Sequence, residues 1–161
     1  MLDELDRKIL KEIQENPRIK ATKLAQKLGK PRTTILQRLS RLEKEGIITG
    51  YRALINPEKL GFKYSALVMV KIRKGLKSLM TQTEIAEKII RECSKSRNLP
   101  FVEEVFVVTG AYDMALKVWI REWRDLTAFL LEYLPSMEEI QSTETLMVLE
   151  RTPKQPSPFP V

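Results

Sequence analysis

The chain has 161 residues, of which 43% are apolar and 30% are charged, and this composition is typical of a globular protein. It contains no histidine and a single cysteine, Cys93. These counts exclude an internal disulfide framework, a zinc site of the usual Cys/His type and histidine-based acid–base catalysis. We therefore expect neither a metal nor a cofactor, and one free thiol fits a reducing compartment.

Positive charge is concentrated at the start of the chain. The net charge is +7, and residues 1–60 hold 14 basic and 8 acidic side chains, against 14 and 13 in residues 61–161. Between Pro17 and Leu42 there are eight basic residues and no acid. This asymmetry indicates a polyanion partner for the first third of the chain, although a solvated charged face would look the same. The acidic, amphipathic start does not resemble a signal peptide, and no apolar run is long enough to span a membrane, so we expect no membrane partner.

Three short helices are predicted in residues 1–46. The first begins after Asp3 as its N-cap and ends at the "ENPR" stretch, and the second spans Ala21–Leu28. Gly29 suits a left-handed turn, Pro31 suits the first turn of the third helix, and Gly46 ends that helix. Apolar residues that recur at helical spacing form the expected core of this unit: Leu5, Ile9, Ile13, Leu24, Ile35, Leu39 and Leu42.

The rest of the chain predicts a second architecture. The stretch "IITGYRALIN" (47–56) is β-prone and fits either a wing or a linking strand. The order that follows is βαββαβ, a ferredoxin-like α+β unit, with the "GAY" turn between its second and third strands. The predicted strands are 64–73, 102–109, 113–120 and 140–150, and the predicted helices are 82–96 and 123–134. In the first of these helices we expect Ile85, Ile89, Ile90 and Cys93 to face inward.

The predicted strands are apolar on both faces. Val68 and Val70 alternate with Leu67 and Met69 in the first strand. Two helices can cover only one face of a four-stranded sheet, and large exposed apolar patches are rare on monomers. We therefore expect a second copy of the same chain to cover the other face.

The third helix carries side chains suited to duplex DNA. With Ile35, Leu39 and Leu42 facing inward, we expect its opposite side to lie in a major groove. Arginine can pair with guanine, glutamine with adenine, and threonine with a base edge or a thymine methyl group. The expected base-reading residues are Arg32, Thr33, Thr34, Gln37, Arg38 and Arg41, and the expected phosphate contacts are Lys20, Lys23 and Lys30, with Lys27 beside them. The alternative is a three-helix unit with a basic surface and no partner.

These segments resemble the Lrp/AsnC family, the feast/famine transcription regulators. The motifs that carry the resemblance are "LDELDRKIL", "RLEKEGIITGY", "NPEKLG", "VVTGAYDMALKV" and "IQSTETLMVLE", which together cover roughly residues 2–150. The resemblance implies a winged helix-turn-helix at 1–50, a linking segment at 51–63 and a βαββαβ effector-binding and oligomerisation domain at 64–151. A proline-rich tail at 152–161 follows, and the resemblance assigns it no role. Lys20 and Lys30 stand where the family has capping residues, which predicts weak caps.

The resemblance also implies partners and an effector site. Family members are cytoplasmic regulators that bind double-stranded DNA as dimers and associate into tetramers or octamers. An amino acid or similar effector often binds where dimers meet. Carried over to this sequence, the effector residues are Gly110, Ala111, Tyr112 and Asp113 of the hairpin, with Thr143 or Thr145 of the last strand. Backbone groups could hold a carboxylate and Asp113 an ammonium, but the hairpin residues could equally serve only the turn.

Two other functions compete with a sequence-specific regulator. An architectural DNA-binding protein with little sequence choice would use the same basic first third. Some relatives with this two-part architecture act as sirohaem decarboxylases, but we expect that chemistry to need a histidine, and this chain has none. The sequence therefore predicts a DNA-binding regulator rather than an enzyme.

Overall fold

A computed structural model describes residues 1–75, 80–152 and 158–161. The middle of the predicted tail, residues 153–157, lies outside the described residues. The chain divides into two compact units, one made of residues 1–55 and 152–161 and the other of residues 56–151. The segment predicted as a linker, 51–63, is thus shared between the two units.

The first unit contains the three expected helices, α1 (Glu4–Glu15), α2 (Ala21–Leu28) and α3 (Arg32–Lys44). Asp3 is the N-cap of α1, as predicted. Its side chain accepts a hydrogen bond from the Asp6 backbone N–H at 2.9 Å, and the Asp6 carboxylate accepts one from the Asp3 N–H at 3.0 Å. This reciprocal capping box fixes the start of α1 and the direction of both carboxylates.

The connection from α2 to α3 is a tight turn. Gly29 has a φ of 60°, the left-handed conformation that suits glycine at a helix end. Lys20 is the N-cap of α2 and its side chain makes no capping bond. The expectation that Pro31 lies within the first turn of α3 is wrong by one residue. Pro31 is itself the N-cap, where Lys30 was expected, because its ψ of 142° is extended rather than helical.

The three helices share one apolar core. Ile9, Leu24, Ile35 and Leu42 are fully buried there, and Leu39 packs at its margin. This confirms the inward stripe predicted for each helix. The core holds α3 with one side against α1 and α2 and the opposite side in solvent.

The β-prone stretch after α3 forms no strand in the described chain. Residues 47–56 run without a partner strand, and Tyr51, Leu54 and Ile55 are exposed. The prediction of a wing or linking strand is therefore wrong for the single chain, because an isolated extended segment has no ladder of hydrogen bonds to stabilise it. The Tyr51 hydroxyl donates instead to the Glu43 carboxylate at 3.0 Å, which ties this segment to α3.

The end of the chain returns to the first unit. The Gln14 side chain of α1 exchanges two hydrogen bonds with the Phe159 main chain: its amide donates to the carbonyl at 3.2 Å and its oxygen accepts from the N–H at 2.7 Å. Residues 158–161 thus lie against α1, although the sequence predicts a mobile tail.

The second unit has the predicted βαββαβ order. Its sheet is antiparallel throughout, with strand order β2-β3-β1-β4, so the two central strands are β3 and β1. This is the ferredoxin-like arrangement. The elements are β1 (Tyr64–Ile72), α4 (Gln82–Lys95), β2 (Phe101–Val107), β3 (Met114–Ile120), α5 (Trp123–Ala128) and β4 (Ile140–Met147).

Two details of the helical layer differ from expectation. The segment 123–134 is not one regular helix, because α5 continues as a π-helical turn at Phe129–Tyr133 and a 3₁₀ turn at Leu134–Ser136. Ile89 is fully buried in α4, but its neighbour Ile90, also expected inward, is exposed. Consecutive helical residues point about 100° apart, so the two isoleucines cannot both lie on one narrow apolar stripe.

The two faces of the sheet differ in burial. Val68, Val70 and Leu116 are fully buried against the helices. The opposite face carries large apolar groups that the described chain leaves partly open. These are Leu67 and Met69 of β1, Phe101 and Phe106 of β2, Ala115 of β3 and Leu146 of β4.

Candidate nucleic-acid interface

The exposed side of α3 carries one row of polar side chains. Thr33 and Gln37 are exposed as predicted, and Ser40 and Lys44 follow them at i+7 and i+11. Residues at this spacing lie along one side of a helix. We call this row, Thr33, Gln37, Ser40 and Lys44, the reading edge. Ser40 and Lys44 were missed from the sequence, although helical spacing from Thr33 would have found them.

Exposed cations surround the reading edge. Arg32 precedes it in the first turn of α3, and Lys20, Lys23 and Lys30 are exposed on and around α2. Within the described ranges none of these four cations forms an ion pair with a carboxylate. The charges of Lys20, Lys23 and Arg32 are therefore free to meet an external anion, while Lys30 also lies within electrostatic reach of the Glu4 carboxylate of α1. Thr34, also expected to read DNA, is half-buried beside them.

Lys27 is not equivalent to the other lysines. Its ammonium lies 2.6 Å from the Glu12 carboxylate of α1, and this hydrogen bond raises the pKa of Lys27. Part of the positive charge counted from the sequence is thus compensated inside the unit.

Arg38 and Arg41 do not lie on the reading edge, and the expectation that they do is wrong. Both are half-buried and turn toward the start of α1. Arg38 Nη1 donates to a carboxylate oxygen of Asp3 and lies 3.1 Å from Oδ1 of Asp6. Arg41 Nη2 donates to Oδ2 of Asp6. The acids lie more than 30 residues away in sequence, so no local pattern in α3 signals the pairing. A DNA-binding role for either arginine stays a prediction.

The contacts of this cluster shift the pKa values of Asp3 and Arg38. The Asp6 backbone N–H and then the Arg38 guanidinium lower the pKa of Asp3 to about 2. The hydrogen bonds to Asp3 and Asp6 raise the pKa of Arg38. The ion pairs between these carboxylates and guanidiniums join the start of α1 to α3.

The predicted effector hairpin is built around Asp113. Gly110 has a φ of 125°, which glycine adopts readily and other residues rarely do. One Asp113 carboxylate oxygen accepts from the Ile72 N–H at 2.8 Å, and the Asp113 N–H donates to the Val70 carbonyl at 2.9 Å. These bonds tie the hairpin to the end of β1. The geometry therefore supports the turn role of Asp113, while Ala111 is exposed at the tip.

The remaining effector candidates lie on different faces of the sheet. The Tyr112 hydroxyl donates to the Glu144 carboxylate, and this bond raises the pKa of Tyr112. Glu144 pairs with Met69 and shares its open face. Thr143 and Thr145 pair with Val70 and Val68 on the helix-covered face. The structure thus brings Tyr112 to Glu144, which was not predicted, rather than to the two threonines.

Comparison with known families matches both halves of the chain. Residues 2–49 match the description "Winged helix-turn-helix DNA-binding", and residues 65–158 match "Lrp/AsnC ligand binding domain". The chain belongs to the Lrp/AsnC family of transcriptional regulators. It therefore combines a helix-turn-helix domain with an α+β ligand-binding domain, as the sequence motifs predicted.

Curated relatives of this Lrp/AsnC-family chain are named as transcriptional regulators. The HTH-type transcriptional regulator FL11 of Pyrococcus furiosus is 30% identical over 161 residues, which is 100% of this chain and 97% of the relative. The proline dehydrogenase transcriptional activator of Rhodobacter capsulatus is 30% identical over 98% of this chain and 97% of its own length.

Solved structures agree with the Lrp/AsnC assignment. A transcriptional regulator of Neisseria meningitidis in complex with L-Met has a TM-score of 0.81 at 28% identity, covering 99% of this chain and 97% of its own. AsnC of Escherichia coli has a TM-score of 0.77 at 29% identity, covering 98% of each chain. In the residues that the structure describes, no helix has both the length and the apolar character to cross a bilayer.

Proposed function

We propose that this chain is a sequence-specific DNA-binding regulator that acts as a dimer in the cytoplasm. The observation that carries the proposal is the exposed surface of α2 and α3, where the reading edge occurs together with exposed lysines and Arg32 that form no ion pair in the described ranges. Duplex DNA presents phosphates to such cations and base edges to such a helix. Arg32, Thr33, Thr34 and Gln37 would contact bases, and Lys20, Lys23 and Lys30 would contact phosphates.

Two alanine variants test this division of roles. We expect Gln37→Ala to relax sequence preference, because a lost bidentate contact to a base removes about 1–3 kcal/mol of discrimination. We expect Lys23→Ala to weaken binding to all sequences alike, because a phosphate contact carries no sequence information. The measurement is the ratio of affinities for a duplex selected by the wild-type protein from a random library and for a scrambled duplex.

The same measurement separates the proposal from an architectural DNA-binding protein. A specific regulator keeps its selected duplex against excess scrambled duplex, whereas a protein with little sequence choice releases it. Equal losses on both duplexes for the two variants would contradict the roles given to Gln37 and Lys23.

The open face of the sheet supports assembly into dimers. Phe106 and Leu146 are about half exposed there, although both are large and apolar. A second copy of the chain would cover them with an identical surface, as isologous dimers do. Glu103 and Lys117 lie on the same face, with their charged groups 3.0 Å apart. Each would therefore neutralise the other's charge inside the dimer interface.

We further propose an amino acid as the effector, on the hairpin side of the open face. Support comes from the L-Met complex of the Neisseria meningitidis regulator and from the Glu144 carboxylate next to Tyr112. Because Asp113 is engaged with β1, Glu144 is the better acceptor for an α-ammonium, and backbone groups near Gly110 would meet the carboxylate. Dimers that associate further around this site would form tetramers or octamers.

Mass measurement in solution tests assembly and effector together. We expect a dimer or a larger even-numbered assembly without additives, and a change of mass or of DNA affinity with one pool of amino acids. The Glu144→Gln variant should lose the response to amino acids and keep its DNA binding. A monomer with no response to any pool would contradict both the dimer and the effector.

A further inference from the structure

Asp6 is a buried carboxylate with an unusual set of partners. Its side chain is 0% exposed. It accepts the Asp3 N–H at 3.0 Å as part of the capping box, and it also contacts the guanidiniums of both Arg38 and Arg41. Asp3 contributes a second carboxylate to Arg38. The start of α1 therefore compensates two cations of α3.

The side chains of Arg38 and Arg41 can point either toward Asp6 or toward solvent. On α3 they lie between the buried stripe of Ile35 and Leu42 and the reading edge. Their side chains are 29% and 39% exposed, so each has a route to solvent. A guanidinium keeps its charge at any physiological pH. After release from Asp6, Arg41 keeps only a contact of 3.8 Å between its Nε and the Glu45 carboxylate, and Arg38 keeps Asp3, so both guanidiniums gain access to water or to a nearby polyanion.

Withholding these cations limits the sequence-independent part of DNA binding. Binding to random DNA depends almost entirely on the number of phosphates that a protein neutralises, whereas base contacts distinguish one sequence from another. Two further free arginines beside the reading edge would strengthen binding to every sequence and make it more dependent on salt. Holding them back keeps the affinity for every duplex lower and leaves sequence preference to the base contacts.

We propose, on the basis of the DNA-binding function above, that Asp6 is a positioning residue that holds Arg38 and Arg41 away from DNA phosphates and thereby sets the strength and the salt dependence of DNA binding. Asp6 acts through the two arginines and does not touch DNA itself. Asp3 supports the same arrangement through Arg38. The reading edge, rather than the whole of α3, then sets which groups meet DNA.

The test is the salt dependence of DNA binding by the full chain with Asp6→Asn. We expect the slope of log affinity against log salt to steepen by roughly 0.9 for each arginine released, and binding to scrambled duplex to tighten by about tenfold at 0.1 M salt. The preference for the selected over the scrambled duplex should stay unchanged, because phosphate contacts carry no sequence information. Loss of a merely structural contact would weaken binding and leave the slope unchanged.

Asp125→Asn is the matched control. Asp125 is also buried, and its carboxylate accepts the Glu122 N–H at 3.1 Å in the capping box of α5. The substitution removes the same charge from an equivalent position, but its nearest guanidinium, Arg124, lies 3.8 Å away within the second unit. We expect no change of slope in this variant, which separates the release of arginines from a general gain of net charge.

A second variant decides the question if Asp6→Asn does not fold. Asp3→Asn keeps a good N-cap, because asparagine caps as well as aspartate, and removes one carboxylate from Arg38. It should steepen the slope, by about 0.9 if Arg38 is fully released. An unchanged or shallower slope in the folded variant overturns the proposal. If wild-type protein shows no salt-dependent binding to any duplex, the proposed DNA-binding function fails instead.

Discussion

Raising the salt concentration from about 50 to about 200 mM should weaken DNA binding by roughly a thousandfold or more. Lys20, Lys23 and Lys30 are exposed on each chain and form no ion pair in the described ranges, so a dimer can make about six phosphate contacts, three from each chain. Each contact releases counterions from DNA, and added salt opposes that release. Fluorescence anisotropy of a labelled duplex at several salt concentrations measures the slope.

Lys63→Ala provides the control for this experiment. Lys63 is exposed but pairs with Glu122 at 2.6 Å in the second unit, so its loss should leave the slope unchanged. Lys23→Ala should instead make the slope shallower by about 0.9 for each phosphate contact that is lost. A wild-type slope shallower than about −3 would show that few phosphates are neutralised, and the basic surface would then not be the DNA interface.

Replacing Ile35 by alanine should destabilise the helix-turn-helix unit by about 2–5 kcal/mol. Ile35 is fully buried on the inner side of α3, and truncation leaves a cavity that the helices cannot fill without moving. A unit built from about 65 residues, 1–55 and 152–161, has little stability to spare. DNA binding should therefore be lost with the fold of α3, while the βαββαβ unit stays folded.

Leu36→Ala is the companion variant for that test. Leu36 is the next residue of α3 but is 42% exposed, so truncation should cost well under about 1.5 kcal/mol. Urea unfolding followed by circular dichroism gives both free energies of unfolding. Similar costs at the two positions would mean that the inner side of α3 has been wrongly assigned.

Much of the fold could be predicted from local patterns. The bounds of α2 are those expected, because an apolar face at helical spacing is closed by Gly29, which takes the left-handed turn. The order of the second unit was also correct, since alternating apolar residues and a glycine hairpin define strands without reference to distant residues. Ile90 was misplaced because a run of two isoleucines does not reveal which one lies on the stripe.

The candidate site could be predicted only in part. Thr33 and Gln37 are exposed because the buried side of α3 fixes the opposite side geometrically. The β propensity of residues 47–56 gave no strand, because a strand also needs a neighbour and propensity does not supply one. The effector hairpin was located correctly as a turn, but the partner of Tyr112 was not, because strand register decides that Glu144 and not Thr143 shares its face.

The sequence by itself determined the family, the two-unit order and the acid-free stretch between Pro17 and Leu42, because each depends on residue types at short spacing. Only the tertiary structure decided which cations of that stretch are free. Lys27, Arg38 and Arg41 are compensated by carboxylates of α1, and such pairs form where packing brings distant helices together. A charge count along the chain cannot show this, because the energy of an ion pair depends on distance in space and not on separation in sequence.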